Sequence, residues 1–263
     1  MIKRAMGFTA TIFSVFIFSL AVNAEPLDKA LDRAEVLKAE GVSAAFVLLK
    51  AAPSWKSVDA AGKKSVAAKA KNLVDEYAAK VVADVYRASG TSKDTDLFLR
   101  LHAYDPDQNQ KFIKDLLSPG ALGRYFVLQD TRLGATKGLV YAPKFPDLLA
   151  QLKALKYEGQ PPVFGIMVTV DKSREWWDLP EKERLEMMEE HTVQTLPFIK
   201  DVKRKLYHAR GIGKNDFVTY FETADLKAFD GLIAVLKSVK EARYTVYGTP
   251  LIGRIATFDE ALE

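Results

Sequence analysis

From Val42 to Lys50 the chain reads VSAAFVLLK, and from Val163 to Asp171 it reads VFGIMVTVD. Both are apolar runs of strand length, rich in branched residues, and both are expected to form buried strands. The same succession of patterns comes after each run. A tryptophan-bearing loop leads into a long stretch whose apolar positions recur every three or four residues, as on an amphipathic helix. A strand comes next, KVVADVYRA at 80–88 and DVKRKLYHA at 201–209. A glycine turn, another strand and a second helix, KFIKDLL or FDGLIAVLK, complete the succession. Asp178 with Glu181 three residues on, and Pro180 between them, predicts the start of the second unit's long helix.

The two units also correspond residue by residue. YRASGTSKD at 86–94 aligns with YHARGIGKN at 207–215, and the same offset of 121 pairs Trp55 with Trp176. After a one-residue slip, TDLFLRLHAYD matches NDFVTYFETAD. Each unit is β-α-β-β-α-like, so the expected fold class is α+β, with duplicated ferredoxin-like halves forming a dimeric-type α+β barrel within one chain. The halves are assigned to 25–140 and 141–263, with a joining segment from Ser118 to Pro162 that has glycine and proline at its ends. At the repeat offset His191 falls on Ala70 and Arg204 on Ala83. The scaffold therefore demands neither a histidine nor an arginine at these positions, and their presence in the second unit points to function.

Residues 1–24 look like a secretory leader. Lys3 and Arg4 precede an apolar run, and Val22 with Ala24 fits a signal-peptidase site, so cleavage is expected after Ala24. An uncleaved anchor helix is the weaker alternative, because the run is at the short limit for a membrane span. The expected location is the periplasm, with no membrane attachment after cleavage. The formal charge of +4 falls by two with Lys3 and Arg4, and the remaining lysines are scattered among acids, so nothing argues for nucleic acid. Cysteine is absent, which excludes disulfides, covalent c-type haem attachment and thiolate metal sites.

His191 lies within the apolar arc of its helix, flanked by Met187, Met188, Thr195 and Phe198. It is either a core histidine satisfied by a carbonyl or a metal ligand. One imidazole without an HxxxH or HxxE companion makes a poor zinc or non-haem iron site. It suffices for haem, where the porphyrin supplies four nitrogens and the protein one axial ligand. In DVKRKLYHA, period two puts Val202, Arg204, Leu206 and His208 on one face, so an arginine sits on the apolar side. It needs either a structural counter-charge or an anionic guest. His208 is a competing ligand, and His102 carries no companion signal. Trp176 and Trp177 fit packing, and Lys172 can pair with a carboxylate such as a porphyrin propionate.

The stretch EWWDLPEKERLEMMEEHTVQTLPFIKDVKRKLYHARGIGKNDFVTYFETADLKAFDGLIAVLKSVKEARY resembles the C-terminal haem-binding half of the chlorite dismutases. The likeness runs from about Lys172 to Gly253, while the first half matches in outline only. It implies a b-type haem, one per chain and not covalently attached, with His191 as its proximal ligand and Arg204 as the distal arginine. It also implies that Glu241 hydrogen-bonds the proximal imidazole, and that Lys172, Trp176 and Trp177 lie near the haem edge and propionates. Leu206, Thr219 and Phe221 match distal-pocket positions, and Tyr141 matches a propionate contact. In TVYGTP the chain is one residue shorter than the usual family segment, with Tyr247 where some members have tryptophan, so a role tied to that aromatic does not carry over. The implied activity is conversion of chlorite to chloride and dioxygen by a homopentamer of the long-chain branch. The alternatives are a coproheme decarboxylase-like enzyme, which the leader and Arg204 oppose, and a periplasmic haem carrier, which has no use for a distal cation.

Overall fold

The computed structural model describes residues 29–138, 144–154 and 157–263. The expected leader and Tyr141 lie outside the described residues. The first half contains α1 (Arg33–Lys38), β1 (Ser43–Ala51), α2 (Ala60–Glu76), β2 (Val82–Arg87), β3 (Leu97–Ala103), α3 (Pro106–Leu116) and β4 (Phe126–Ala135). After α4 (Pro146–Ala154), the second half contains β5 (Phe164–Lys172), α5 (Arg174–Asp178), α6 (Glu181–Thr195), β6 (Val202–His208) and β7 (Phe217–Thr223). It continues with α7 (Leu226–Leu236), β8 (Thr245–Tyr247), β9 (Leu251–Ala256) and α8 (Phe258–Ala261).

The duplication is visible in the backbone. β1 and β5 start 121 residues apart and share one burial pattern. Gly90 and Gly211, also 121 apart, both turn with φ near +85°, a conformation that favours glycine. Asp105 and Asp225 cap α3 and α7 alike, each accepting from the backbone N–H two residues on. The joining segment holds more structure than expected, because β4 lies within it as the fourth strand of the first half. α6 starts at Glu181 with Pro180 at its N-cap and no side-chain cap, so Asp178 ends α5 rather than starting the long helix.

The strands form one antiparallel sheet in the order β7-β6-β4-β1-β3-β2-β9-β5, and β5 pairs back onto β7. The sheet is thereby a closed barrel, with β8 attached beside β5. Within it each half keeps the ferredoxin-like order, β4-β1-β3-β2 and β6-β7-β5-β9. The seams are short: Val85–Arg87 of β2 pair with Arg254–Ala256 of β9, and Ala135 of β4 pairs with His208 of β6.

Closure covers both faces of the central strands β1, β3 and β5, while β4 and β9 keep exposed positions. Phe46, Tyr86, Phe98, Tyr207 and Tyr220 come from both halves and fill the interior. A β-carbon on Gly165 would run into the Tyr86 ring and the Tyr220 hydroxyl, so this crowding needs glycine there. Arg100 is also inside, 2% exposed, donating to Asp84 at 2.7 Å and to Glu222 at 3.1 Å. These bonds tie the first half to the second. The outer face of the first half packs against α2 and α3, and that of the second against α7.

Candidate functional site

His191 stands near the C-terminal end of α6, and its Nδ1 is 2.7 Å from Oε1 of Glu241. A 3-10 turn, Lys240–Tyr244, presents this glutamate, which is only 2% exposed. Lys172, at the end of β5, donates from Nζ to the other carboxylate oxygen of Glu241 and to Thr245 Oγ1 at 2.6 Å. The same ammonium lies 4.4 Å from the centre of the Trp176 ring. The backbone N–H of Lys172 is fixed by Asp216 at 2.8 Å. Lys172 thus meets a carboxylate of the protein itself.

Burial alone raises the pKa of Glu241, but the hydrogen bond from His191 and the charge of Lys172 outweigh it and hold it at about 2. Burial also lowers the Lys172 pKa, and Glu241 only partly offsets this. An ionised carboxylate accepts and cannot donate, so Nδ1 of His191 carries the proton. Nε2 is left as the nitrogen that faces away from Glu241, and the His191 side chain is 23% exposed. A carboxylate behind an imidazole fixes the ring and increases its basicity as a ligand.

Arg204, half-buried, belongs to a patch on adjacent strands. It is the register partner of Phe221, and Leu206 is the partner of Thr219. The four side chains share the face that looks toward the helices, while Tyr207 turns into the barrel. The Arg204 guanidinium donates to Thr195 Oγ1 at 2.7 Å and to the Thr195 carbonyl at 2.6 Å. Thr195 lies one helical turn beyond His191 and returns its hydroxyl to the His191 carbonyl at 2.9 Å. Sequence reasoning assigned Thr195 no chemistry beyond flanking His191, although its position one turn on from the histidine was a usable signal. Thr245 and Arg210 were missed altogether. The Arg210 guanidinium lies 3.8 Å from the centre of the Trp177 ring, and Trp177 stacks beside Phe217 at 6.4 Å.

The other histidines are placed differently. His208 packs edge-on to Phe217 at the seam strand, and burial lowers its pKa. His102 is inside the barrel, with Nε2 2.8 Å from the Tyr207 hydroxyl. Among the described residues, no three His, Cys, Asp or Glu side chains gather as would hold a bare metal ion.

The repeat shows where a larger group fits. In the first half, Val66, Ala67 and Ala70 of α2 belong to the apolar core. Their counterparts Met187, Met188 and His191 do not join the second-half core, to which α6 contributes nothing. A helix whose side chains stay out of the sheet's apolar cluster, one imidazole with its outer nitrogen available and a cation on the facing strand suit a metalloporphyrin with a single protein ligand. The residues present fit haem.

Fold and site together define a class: a duplicated α+β barrel whose second half carries a single histidine, backed by a buried carboxylate, where haem would fit. The sequence profile of the chlorite dismutase family matches residues 63–255, and the chain belongs to that family. It is 40% identical over 225 residues to the chlorite dismutase of Ideonella dechloratans, covering 84% of this chain and 79% of that one. It is 25% identical over 170 residues to a coproheme decarboxylase of Mycolicibacterium smegmatis, covering 65% of this chain and 71% of the relative. An arginine-to-lysine variant of the chlorite dismutase from Candidatus Nitrospira defluvii superposes with a TM-score of 0.83 at 31% identity, covering 88% of this chain and 98% of that one.

Proposed function

We propose that this chain holds one b-type haem on His191, between α6 and the Arg204 patch, and that Arg204 governs the chlorite anion there. The protein is a haem enzyme that converts chlorite to chloride and dioxygen. The observation that carries the site assignment is the His191–Glu241–Lys172 chain, with His191 on a helix that contributes nothing to the second-half core. Bound there, haem would supply the redox-active iron that the oxygen chemistry of chlorite needs, with His191 holding it.

The protein's own residues bind and orient. Arg204 attracts chlorite and retains the chlorine-bearing fragment until both oxygens have joined, through a cation set in a partly dry pocket. To reach the anion it exchanges its bonds to Thr195 for bonds to the substrate. Glu241 keeps His191 in the Nδ1–H tautomer and makes it a stronger electron donor. Lys172 moderates this effect, because its charge lowers the basicity of the same carboxylate. Leu206, Thr219 and Phe221 line the substrate side and limit water. Chlorite becomes chloride and dioxygen without net gain or loss of a proton, so the reaction requires no general base.

The proposed setting is the periplasm, after removal of residues 1–24, and the proposed assembly is a homopentamer. The Ala70 and Ala83 counterparts support a single haem per chain, in the half spanning 141–263. A haem titration of the apoprotein tests the assignment. We expect saturation at one equivalent per chain, and His191→Ala should lose the five-coordinate ferric spectrum. Two equivalents, or an unchanged spectrum in His191→Ala, would overturn it.

A further inference from the structure

In the second half α6 faces β6 across the cleft assigned to haem, and the repeat puts α2 and β2 in the same relation in the first half. That first-half cleft holds protein. Residues 257–262, including α8, run between α2 and β2, and Phe258 and Leu262 are buried in one cluster with Val66, Ala67, Ala70 and Val85. Ala67 and Ala70 are the counterparts of Met188 and His191, and Val85 is the counterpart of Leu206. The segment is fastened along its length. Thr257 and Glu260 form a reciprocal capping box. The Glu260 carbonyl accepts from Arg87 at 3.3 Å, and that of Glu263 accepts from Lys63 at 2.5 Å.

Space remains on both sides of the segment. One cavity of about 320 Å³ lies among Val74, Ala83, Val85, Ile255 and Phe258, with Lys71, Asp75 and Asp84 also on its walls. Val74 and Ala83 are the counterparts of Thr195 and Arg204. A second cavity, of about 250 Å³, lies among Val58, Lys63, Lys64, Ala67 and Leu262. The segment lies between these two spaces, and among their walls Ala67, Val74, Ala83 and Val85 are the first-half versions of Met188, Thr195, Arg204 and Leu206.

We propose that residues 257–263 are a built-in ligand of this first-half cleft, and that displacing them opens a site for a flat, mainly apolar ring bearing carboxylates. The proposal rests on the assignment of haem to the equivalent cleft of the second half. The mainly apolar walls with small alanines accept a ring, and its acid groups would point to Lys63 and Lys64 on one side, away from Asp75 and Asp84 on the other. With Ala70 and Ala83 in place of His191 and Arg204, the opened site has neither the axial imidazole nor the distal cation.

The test uses haem-loaded protein lacking residues 257–263, titrated with metal-free protoporphyrin and followed by its fluorescence. The full chain should bind none, whereas the shortened chain should take one equivalent per chain. A synthetic peptide TFDEALE should displace it, and replacing the phenylalanine of that peptide by alanine should weaken displacement roughly ten- to a hundredfold. Ala70→Trp in the shortened chain should abolish uptake while the spectrum of the resident haem stays unchanged. If the shortened chain does not fold, the full-length Phe258→Ala/Leu262→Ala variant carries the test and should take up the porphyrin. Absence of uptake in a folded variant, uptake by the unmodified chain, or uptake indifferent to the peptide would each overturn the proposal. Failure of the haem assignment reads separately, as a resident haem that survives His191→Ala.

Discussion

Glu241 has a different obligation at each oxygen: one orients His191, and the other neutralises Lys172. Glu241→Gln removes the anion and leaves a buried ammonium unpaired, which costs about 3 kcal/mol of stability. Adding Lys172→Met should recover part of this loss in chemical denaturation. The same Glu241→Gln variant, loaded with haem, should show a raised iron reduction potential, because a neutral partner makes the imidazole a poorer donor. The pH dependence follows from a folded pKa of about 2 against an ordinary 4.5. This carboxylate's contribution is complete above pH 4.5 and is lost as pH falls toward 2, so the gap between parent and variant should close over that window. Periodicity brought out His191 and Arg204, since each interrupts an apolar face. It had no means of finding Glu241, which sits in a 3-10 turn 50 residues from its partner. Only the family resemblance pointed to it.

The two longer helices and first three strands of each half were legible from their residue patterns, whereas the short helices α1, α4, α5 and α8 were not, and α5 falls where a tryptophan-bearing loop was expected. Nor were β4, β8 and β9. β4 exposes Val127, Leu128 and Leu133, so its pattern does not alternate, and β9 is short with a half-open face. These strands are specified by partners across the chain rather than by local sequence. The repeated turns give a direct test of the duplication. Gly90 and Gly211 share a positive φ, and neither has an atom within 4 Å of where a β-carbon would be. Gly90→Ala and Gly211→Ala should therefore each cost about 1 kcal/mol, from backbone strain alone. Unequal losses would mean that the two turns are held differently.

Barrel closure changes the meaning of a polar pattern. In LFLRLHA the polar Arg100 and His102 alternate with apolar residues, and both face the interior, where Arg100 joins the halves through Asp84 and Glu222. Burial, followed by the charge of Arg100, lowers the pKa of His102 from 6.5 to about 3. Below pH 6.5 the unfolded chain takes up a proton that the folded chain refuses, so stability should fall by about 1.4 kcal/mol per pH unit. His102→Gln should remove this slope between pH 6.5 and 5, above the range in which Glu241 titrates. The catalytic claim is separate from these stability terms and centres on Arg204. The most direct test is dioxygen released per haem on adding chlorite, measured with the thermal midpoint on the same samples of parent and Arg204→Ala. The parent should release one dioxygen for each chlorite consumed. Arg204→Ala should keep its haem and fold, turn over roughly ten- to several-hundredfold more slowly, and leak hypochlorite that a trap intercepts. A destabilised Arg204→Ala protein with full dioxygen yield per haem would contradict the account and leave this arginine a structural role only.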